Sequence, residues 1–222
     1  MSATNGPIGV TQQDIDEQLA HLLADAPDGS VLDEQDEALI ELAVRAVATA
    51  MDGTGTHDAL LTARDLGATP EQLHEVIELV AGTGVHSFFE ATRALDDLML
   101  AGTPPADFDE HRQRLWDLYV GDGSYWRTME EEIPGFLASL LRRSPAAFEA
   151  FFVFCAVPWK SGHIRNLLKE LMSAAVDATP SHRYLPGMRL HVRNALKLGA
   201  GRVAIERALQ IAANAPSPQG VK

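Results

Sequence analysis

Residues 170–191 concentrate side chains that can move protons or bind an anion. They comprise a carboxylate, two imidazoles, two guanidinium groups and two hydroxyls, on Glu170, Ser181, His182, Arg183, Tyr184, Arg189 and His191. A carboxylate close to an imidazole sets its tautomer and raises its pKa, which suits a general acid or base near neutral pH. The sequence therefore predicts a catalytic group made of Glu170, His182 and His191.

Cations and aromatic rings in and before this segment predict how a substrate is held. The guanidinium groups of Arg183 and Arg189 can each bind a carboxylate through two parallel hydrogen bonds. Tyr184 shares their loop, and Trp159 precedes the helix of Glu170, where it either walls a pocket or anchors the core. We expect these residues to contact a small carboxylated substrate.

The elements that position these residues are predicted to be helices throughout. Helices are expected at residues 12–23, 33–50 and 57–67, from 70 onward, at 86–100 and within 107–155, with a break at 51–56. Asp33 is a predicted N-cap, and Thr69, Pro70 and Gln72 together form a helix-start signal. No segment shows the period-two alternation of strands between hairpin turns, so the fold is predicted to be all-α.

A pattern in the first half of the chain returns 132 residues later. Ala63-Arg-Asp-Leu66-Gly67-Ala68 recurs as Ala195-Leu-Lys-Leu198-Gly199-Ala200. At the same offset and without gaps, Leu39 matches Leu171, Ala43 matches Ala175, Val44 matches Val176, Ala46 matches Ala178, Thr49 matches Ser181, Gly55 matches Gly187 and Ala81 matches Ala213. We interpret these matches, on helix-core positions and glycines, as an internal duplication; two amphipathic helices of similar composition are the alternative.

The order of helix, short break, helix ending in Gly-Ala and capped helix resembles the repeat of the carboxymuconolactone decarboxylase family. Residues 157–201 are especially similar to two-repeat members, and the resemblance covers about residues 31–100 and 110–213. It implies an AhpD-like helical fold with two tandem repeats. It also implies a homo-oligomer, expected to be a dimer or trimer, because two repeats in one chain halve the subunit number of a ring of single repeats.

Redox-active members of this family resemble the pattern Glu-x11-Cys-x2-Cys-x3-His, in which the thiols reduce peroxides. The corresponding residues here are Glu170, His182, Leu185 and Arg189 in the second repeat, and Ala38, Ala50, Gly53 and His57 in the first. Cys155 is the one cysteine of the chain and lies outside both sets. Because no redox disulfide can form there, a thiol peroxidase is disfavoured.

Ordinary structural roles compete with these catalytic assignments. Glu170 on a helix face can simply pair with an arginine of the following helix, and His191 can be a surface histidine. His57 is expected to be structural, because its repeat lacks the glutamate, whereas His86 could line a site or a subunit contact. His57 and His86 therefore remain secondary candidates.

Composition limits the partners. The net charge of −13 argues against general nucleic-acid binding, although cations increase after Arg142 and favour an anionic ligand if they surround a pocket. One cysteine provides no disulfide framework or cysteine-based metal site, and the spacing of Glu170, His182 and His191 matches no helical metal motif. We expect no metal and no cofactor. Neither a membrane span nor a secretory signal is visible, so a cytoplasmic protein without a membrane partner is predicted.

These observations predict three segments and one leading function. The segments are an arm at residues 1–30, a first helical repeat at 31–105, and linking helices with a second repeat and short tail at 106–222. The leading function is a decarboxylase-type lyase that acts on a small organic acid or lactone by general acid/base chemistry. The alternatives are an AhpD-like oxidoreductase, disfavoured without Cys-x-x-Cys, and a non-catalytic helical module for assembly or binding.

Overall fold

The computed structural model describes residues 9–220 of the 222-residue chain. Residues 1–8, with the predicted turn at Asn5-Gly6-Pro7, and residues 221–222 lie outside the described residues. Within residues 9–220 all regular secondary structure is helical and no strand occurs, as the sequence predicts.

Thirteen α-helices and one 3-10 turn follow one another along the described residues. They are α1 (Gln12–Leu22), α2 (Glu34–Ala46), α3 (Gly53–Asp65), α4 (Pro70–Ala81), the 3-10 turn (Gly82–Gly84), α5 (Val85–Leu100), α6 (Glu110–Tyr119), α7 (Ser124–Glu132), α8 (Phe136–Arg143), α9 (Pro145–Cys155), α10 (Val157–Ser161), α11 (Asn166–Ala178), α12 (Leu185–Lys197) and α13 (Arg202–Ala213). None of these described helices is long and apolar enough to cross a membrane.

The described residues form two compact units. The first contains the chain up to Val80 together with the chain from His163 onward, and the second is Ala81–Gly162. The first unit thus brings together two stretches that are far apart in sequence. The boundary predicted at residue 105, between the first repeat and the linking helices, falls inside the second unit.

Two triplets of helices build the first unit. Each helix of the first triplet, α2, α3 and α4, begins and ends 132 positions before its counterpart in the second triplet, α11, α12 and α13. Helices α2 and α11 pack against each other, α3 lies on α2, and α12 lies on α11. Ala43 and Ala175, which occupy matching positions on the two central helices, are fully buried. Small side chains there let two helix backbones approach closely.

Local capping signals set several of these helix ends. Asp33 accepts a hydrogen bond from the Asp36 backbone nitrogen at 2.8 Å, as its N-cap position predicts. Thr69 and Gln72 form the reciprocal capping box before α4, with distances of 3.2 and 2.9 Å. These capping residues and the buried apolar face of each helix together explain why α2 and α4 begin where the sequence predicts.

The predicted break at residues 51–56 lies at residues 47–52 instead, four positions earlier and equally long. Helix α2 ends at Ala46 rather than near residue 50, and α3 begins at Gly53 rather than near His57. Asp52 causes the early start of α3. Its carboxylate accepts a hydrogen bond from the Gly55 nitrogen at 3.0 Å and so caps the helix before His57.

Loops of the two triplets also match in backbone conformation. Met51 and Arg183, which are 132 positions apart, both have left-handed backbones, with φ of 45° and 49°. Gly67 and Gly199 follow α3 and α12 with φ of 93° and 94°. Left-handed residues other than glycine are uncommon, so their occurrence at one shared position shows that the two connections are built alike.

Two ion pairs join the triplets with exchanged charges. Glu37 on α2 binds Arg207 on α13 at 2.6 and 2.9 Å, and Glu75 on α4 binds Lys169 on α11. Position 37 corresponds to 169 and position 75 to 207, so each acidic position of the first triplet is basic in the second. The Lys169–Glu75 pair is buried, whereas the Glu37–Arg207 pair is partly exposed.

The second unit has an aromatic core. The tilted rings of Phe89 on α5 and Phe136 on α8 pack with centroids 4.1 Å apart, and those of Phe148 and Phe152 on α9 lie 4.8 Å apart. The buried Asp96 carboxylate on α5 accepts hydrogen bonds from the arginines that end α8, Arg142 and Arg143. The predicted helices of residues 107–155 are therefore present. Of their aromatic side chains, Phe136, Phe148, Phe151 and Phe152 are buried, whereas Tyr125 and Phe154 are exposed.

Candidate functional site

The candidate site lies in the first unit, on α11, α12 and the loop between them. Helix α11 is buried along most of its length, and its acids Glu170 and Asp177 are 3% and 2% exposed. They are seven residues apart, or about two helical turns, so both project from one side of the helix. The backbone nitrogen of Tyr184 donates to the Asp177 carbonyl at 2.8 Å and fixes the end of the loop against the helix.

Glu170 and His191 form a direct contact. The Glu170 Oε2 and His191 Nδ1 atoms are 2.6 Å apart, and the two side chains are 5% and 13% exposed. Burial by itself lowers the pKa of His191, but its hydrogen bond to Glu170 and the charges of Glu170 and Asp177 reverse this effect and raise that pKa above its usual value. The pair predicted from sequence is therefore brought together, with His191 held toward its charged form.

Asp177 lies between two imidazoles. Its Oδ1 is 3.5 Å from Nε2 of His182, and its Oδ2 is 4.0 Å from Nε2 of His191. Burial raises the pKa of Asp177 to about 8, against the opposing charge of His191. Burial also lowers the pKa of His182. Near neutral pH the site thus combines a protonated carboxyl group with a neutral imidazole beside it.

A glycine on α12 makes room for the Asp177 carboxylate. A Cβ atom on Gly187 would stand 2.1 Å from Asp177 Oδ2 and 2.8 Å from a ring carbon of Tyr184. Any other residue at position 187 would therefore displace the carboxylate. Its counterpart Gly55 is equally crowded, by Asp52 and by the guanidinium group of Arg45.

The first triplet carries none of this chemistry at the matching positions. Glu170, Asp177, His182 and His191 correspond to Ala38, Arg45, Ala50 and Ala59. In place of the buried carboxyl group, Arg45 Nη1 makes an ion pair with Asp52 Oδ2 at 2.9 Å. The candidate site therefore belongs to the second triplet.

The predicted substrate-binding residues of the loop have different surroundings. The Nη1 atom of Arg183 donates to the backbone carbonyl of Val10 at 2.7 Å, so this guanidinium group already holds the segment before α1. The ring of Tyr184 lies 6.0 Å from that of His182. Arg189 is half-buried on α12, two residues before His191. A role in substrate binding remains a prediction for all three.

The remaining candidates lie elsewhere. His57 on α3 is largely exposed, with its Nδ1 3.6 Å from Asp58, and its role remains a prediction. His86 on α5 and Trp159 on α10 belong to the second unit, and both are half-buried. The ring of His86 packs 5.5 Å from that of Phe89.

Sequence reasoning missed Asp177. An acid near the end of a helix is usually exposed, and nothing next to it in the sequence marks it as buried. One signal was present: Glu170 and Asp177 share a helix face on which the neighbouring residues Ala174 and Ala178 are small and apolar. A second acid on an apolar face, two turns from a suspected catalytic glutamate, is the pattern that could have found it.

These side chains can perform proton transfer in a confined space. Glu170 orients and charges His191, while Asp177 and His182 supply a weak acid and a neutral base that are close to each other. Carboxylates and imidazoles are also the donor types of metal sites, and within this unit Asp177 Oδ1 and His182 Nε2 lie 3.5 Å apart. The expectation of a metal-free, cofactor-free site remains a prediction.

Comparisons with known proteins agree with the fold. The chain is similar to a crystal structure from Burkholderia xenovorans LB400, described as a proposed gamma-carboxymuconolactone decarboxylase subunit, with a TM-score of 0.69 and 28% identity over 92% of this chain and 90% of that one. No family model and no curated protein matches the chain. The structural likeness confirms the resemblance to carboxymuconolactone decarboxylases that the sequence indicates, together with the all-α fold.

Proposed function

We propose that this protein is a carboxymuconolactone decarboxylase-like lyase that acts on a small organic acid or lactone by general acid/base chemistry. The observation that carries the proposal is the buried Glu170–His191 pair, in which a carboxylate holds an imidazole in its charged form. The likeness to a structure described as a decarboxylase subunit supports the same class of reaction.

Decarboxylation places two demands on a site. The bond from carbon to the carboxylate breaks, carbon dioxide leaves, and the electron pair remains as a carbanion or an enolate that must take up a proton. Charged His191 can donate that proton, and Glu170 keeps it charged until the transfer. The half-buried Arg189 on the same helix is the proposed partner for the substrate carboxylate.

Two features of the assembly form part of the same proposal. The two helix triplets are copies of one repeat, supported by helix bounds that are 132 positions apart and by matching loop backbones. The protein forms a homo-oligomer, as suggested by the similar structure, which is described as a subunit. A cytoplasmic location is the simplest one for such an enzyme.

The oxidoreductase alternative finds no support at the cysteine. Burial raises the pKa of the Cys155 thiol to about 11, so little thiolate exists near neutral pH. Cys155 also lies in the second unit and not on the helices of the candidate site.

An assay with gamma-carboxymuconolactone, followed by the release of carbon dioxide, tests the proposal. The unsubstituted protein should turn it over, and both Glu170→Gln and His191→Gln should lower kcat by about 100-fold or more, the usual contribution of a positioned acid or base. His74→Ala is the control, because His74 is 69% exposed on α4 and should leave kcat unchanged. Turnover that survives both site substitutions contradicts the assignment. Absence of turnover on this lactone and on related acids favours the non-catalytic helical module.

A further inference from the structure

We propose that Asp177 is a proton-carrying link between His191 and His182, so that Glu170, His191, Asp177 and His182 form one chain of proton exchange. As a step in catalysis this inference rests on the proposed lyase function, whereas the link itself can be observed without turnover. Asp177 acts through the two imidazoles and is therefore a positioning residue.

Geometry supports the link, because each polar atom along it faces a different partner. His191 uses Nδ1 for Glu170 and turns Nε2 toward Asp177. Asp177 turns Oδ2 toward His191 and Oδ1 toward His182. Asp177 is 4.0 Å from Nε2 of His191 and 3.5 Å from Nε2 of His182, which is longer than a good hydrogen bond. A side-chain shift of about 1 Å brings either pair within hydrogen-bond distance.

Protons and charges balance along this chain. Protonated Asp177 gives the proton on Oδ1 to Nε2 of neutral His182, while Nε2 of charged His191 gives its proton to Oδ2. His182 becomes charged, His191 becomes neutral, and Asp177 ends as a carboxylic acid again. The positive charge has moved from one imidazole to the other without any group leaving its place in the fold.

Burial separates Asp177 from direct exchange with solvent. The Asp177 side chain is 2% exposed, whereas those of His182 and His191 are each 13% exposed. The two imidazoles are therefore more accessible than the carboxyl group and can pass it a proton. The raised pKa of Asp177 agrees with a carboxyl group that carries a proton near neutral pH.

Comparison of the two triplets shows that the fold does not require this carboxyl group. Helix α2 has the same length and the same place in its triplet as α11, yet it carries Arg45 at the position of Asp177. At the positions that match Glu170, His182 and His191, the first triplet carries alanines. Asp177 is thus present in the triplet that also carries Glu170, His182 and His191, and its matching position lacks a carboxylate where these residues are missing.

Imidazole titration by proton–nitrogen NMR on the full chain tests the link. His182→Gln and His191→Gln assign the two imidazoles. In the unsubstituted protein both should show one shared inflection near pH 8 from Asp177, in addition to their own titrations. In Asp177→Asn both should lose that inflection. Asp36→Asn is the matched control, because Asp36 is also a buried carboxylate on a central helix but is paired with Arg165, and both inflections should remain.

The outcomes separate the link from the reaction. An inflection felt by only one imidazole, or by neither, overturns the link even if Asp177→Asn fails to fold, because the unsubstituted protein decides it. A shared inflection in a protein that shows no turnover supports the proton-carrying role of Asp177 and contradicts the proposed lyase function. If Asp177→Asn keeps both the kcat and the pH profile of the unsubstituted protein, the lyase function stands and Asp177 takes no part in catalysis.

Discussion

The hydroxyl groups of Thr49 and Ser181 face each other, with Ser181 Oγ 3.4 Å from Thr49 Oγ1, although the two residues are 132 positions apart. The same offset relates the two helix triplets. The ion pairs of Glu37 with Arg207 and of Glu75 with Lys169 join positions that exchange under this offset, as contacts about a local twofold axis do. This axis passes through the first unit between α2 and α11, and other contacts of the triplets are arranged about it.

Removing the cation of the buried ion pair on one side of this axis should destabilise the fold far more than removing the cation of the pair on the other side. Lys169→Met should cost about 3–5 kcal/mol in the free energy of unfolding, because it leaves the Glu75 carboxylate buried without its cation. Arg207→Met, at the matching position of the exposed pair, should cost less than about 1 kcal/mol. Urea unfolding of both variants measures the difference.

A double variant checks the cause. Lys169→Met combined with Glu75→Gln should be more stable than Lys169→Met alone, because the uncompensated charge is gone. The new amide oxygen can still accept the hydrogen bonds that Glu75 Oε2 receives from the His163 and Ile164 backbones at 3.0 and 3.1 Å. Equal costs at the buried and exposed pairs would show that burial does not govern their strength.

Glu170→Gln should lower the pKa of His191. Burial opposes the charged imidazole, and the substitution removes the Glu170 charge and leaves only a weaker hydrogen bond to a neutral amide oxygen. NMR titration of the His191 imidazole in the two proteins gives the measurement. An unchanged His191 titration in this variant would mean that the Glu170 contact does not set its charge.

Gly187→Ala and Gly55→Ala should have similar effects on stability and different effects on the site. Each new Cβ meets a carboxylate oxygen at 2.1 or 2.0 Å, and the overpacking should cost about 1–3 kcal/mol in both. Only Gly187→Ala displaces Asp177, so only this variant should alter the NMR titrations of His182 and His191. The same alteration in Gly55→Ala would refute the local origin of the effect.

Asp177 should make the unfolding free energy depend on pH between about 4 and 8. Its pKa is raised from 3.8 to about 8 in the folded chain, so the unfolded state loses this proton first and its ionisation favours unfolding as the pH rises. Asp177→Asn should therefore become progressively more stable than the unsubstituted protein, by at most about 1.4 kcal/mol per pH unit. Urea unfolding at pH 5, 7 and 9 tests this, and a constant difference would contradict the raised pKa.

Much of the fold follows from signals that lie within a few residues of each helix end. Asp33, Thr69 and Gln72 cap helices where their types and spacing predict, because a cap needs only its own side chain and the next turn of backbone. The early start of α3 was missed because Asp52 can cap only after Gly55 admits its carboxylate. That condition depends on packing, which local spacing does not reveal.

The candidate site was predictable only in part for the same reason. Glu170 and His191 were expected together because both belong to a pattern of residue types around one loop, and they are 2.6 Å apart. Arg183 was expected to hold a substrate, but its guanidinium group binds the Val10 carbonyl, a partner 173 positions away. Asp177 was overlooked because its burial depends on how α12 packs on α11.

The exchanged charges of the two ion pairs also constrain how the halves of this chain can change over evolution. A chain with two copies of the first triplet would set Glu37 opposite Glu75, and one with two copies of the second would set Lys169 opposite Arg207. One of these like-charged contacts would be buried, where repulsion is not screened by water. Each triplet is thus complementary in charge to the other triplet and not to a second copy of itself.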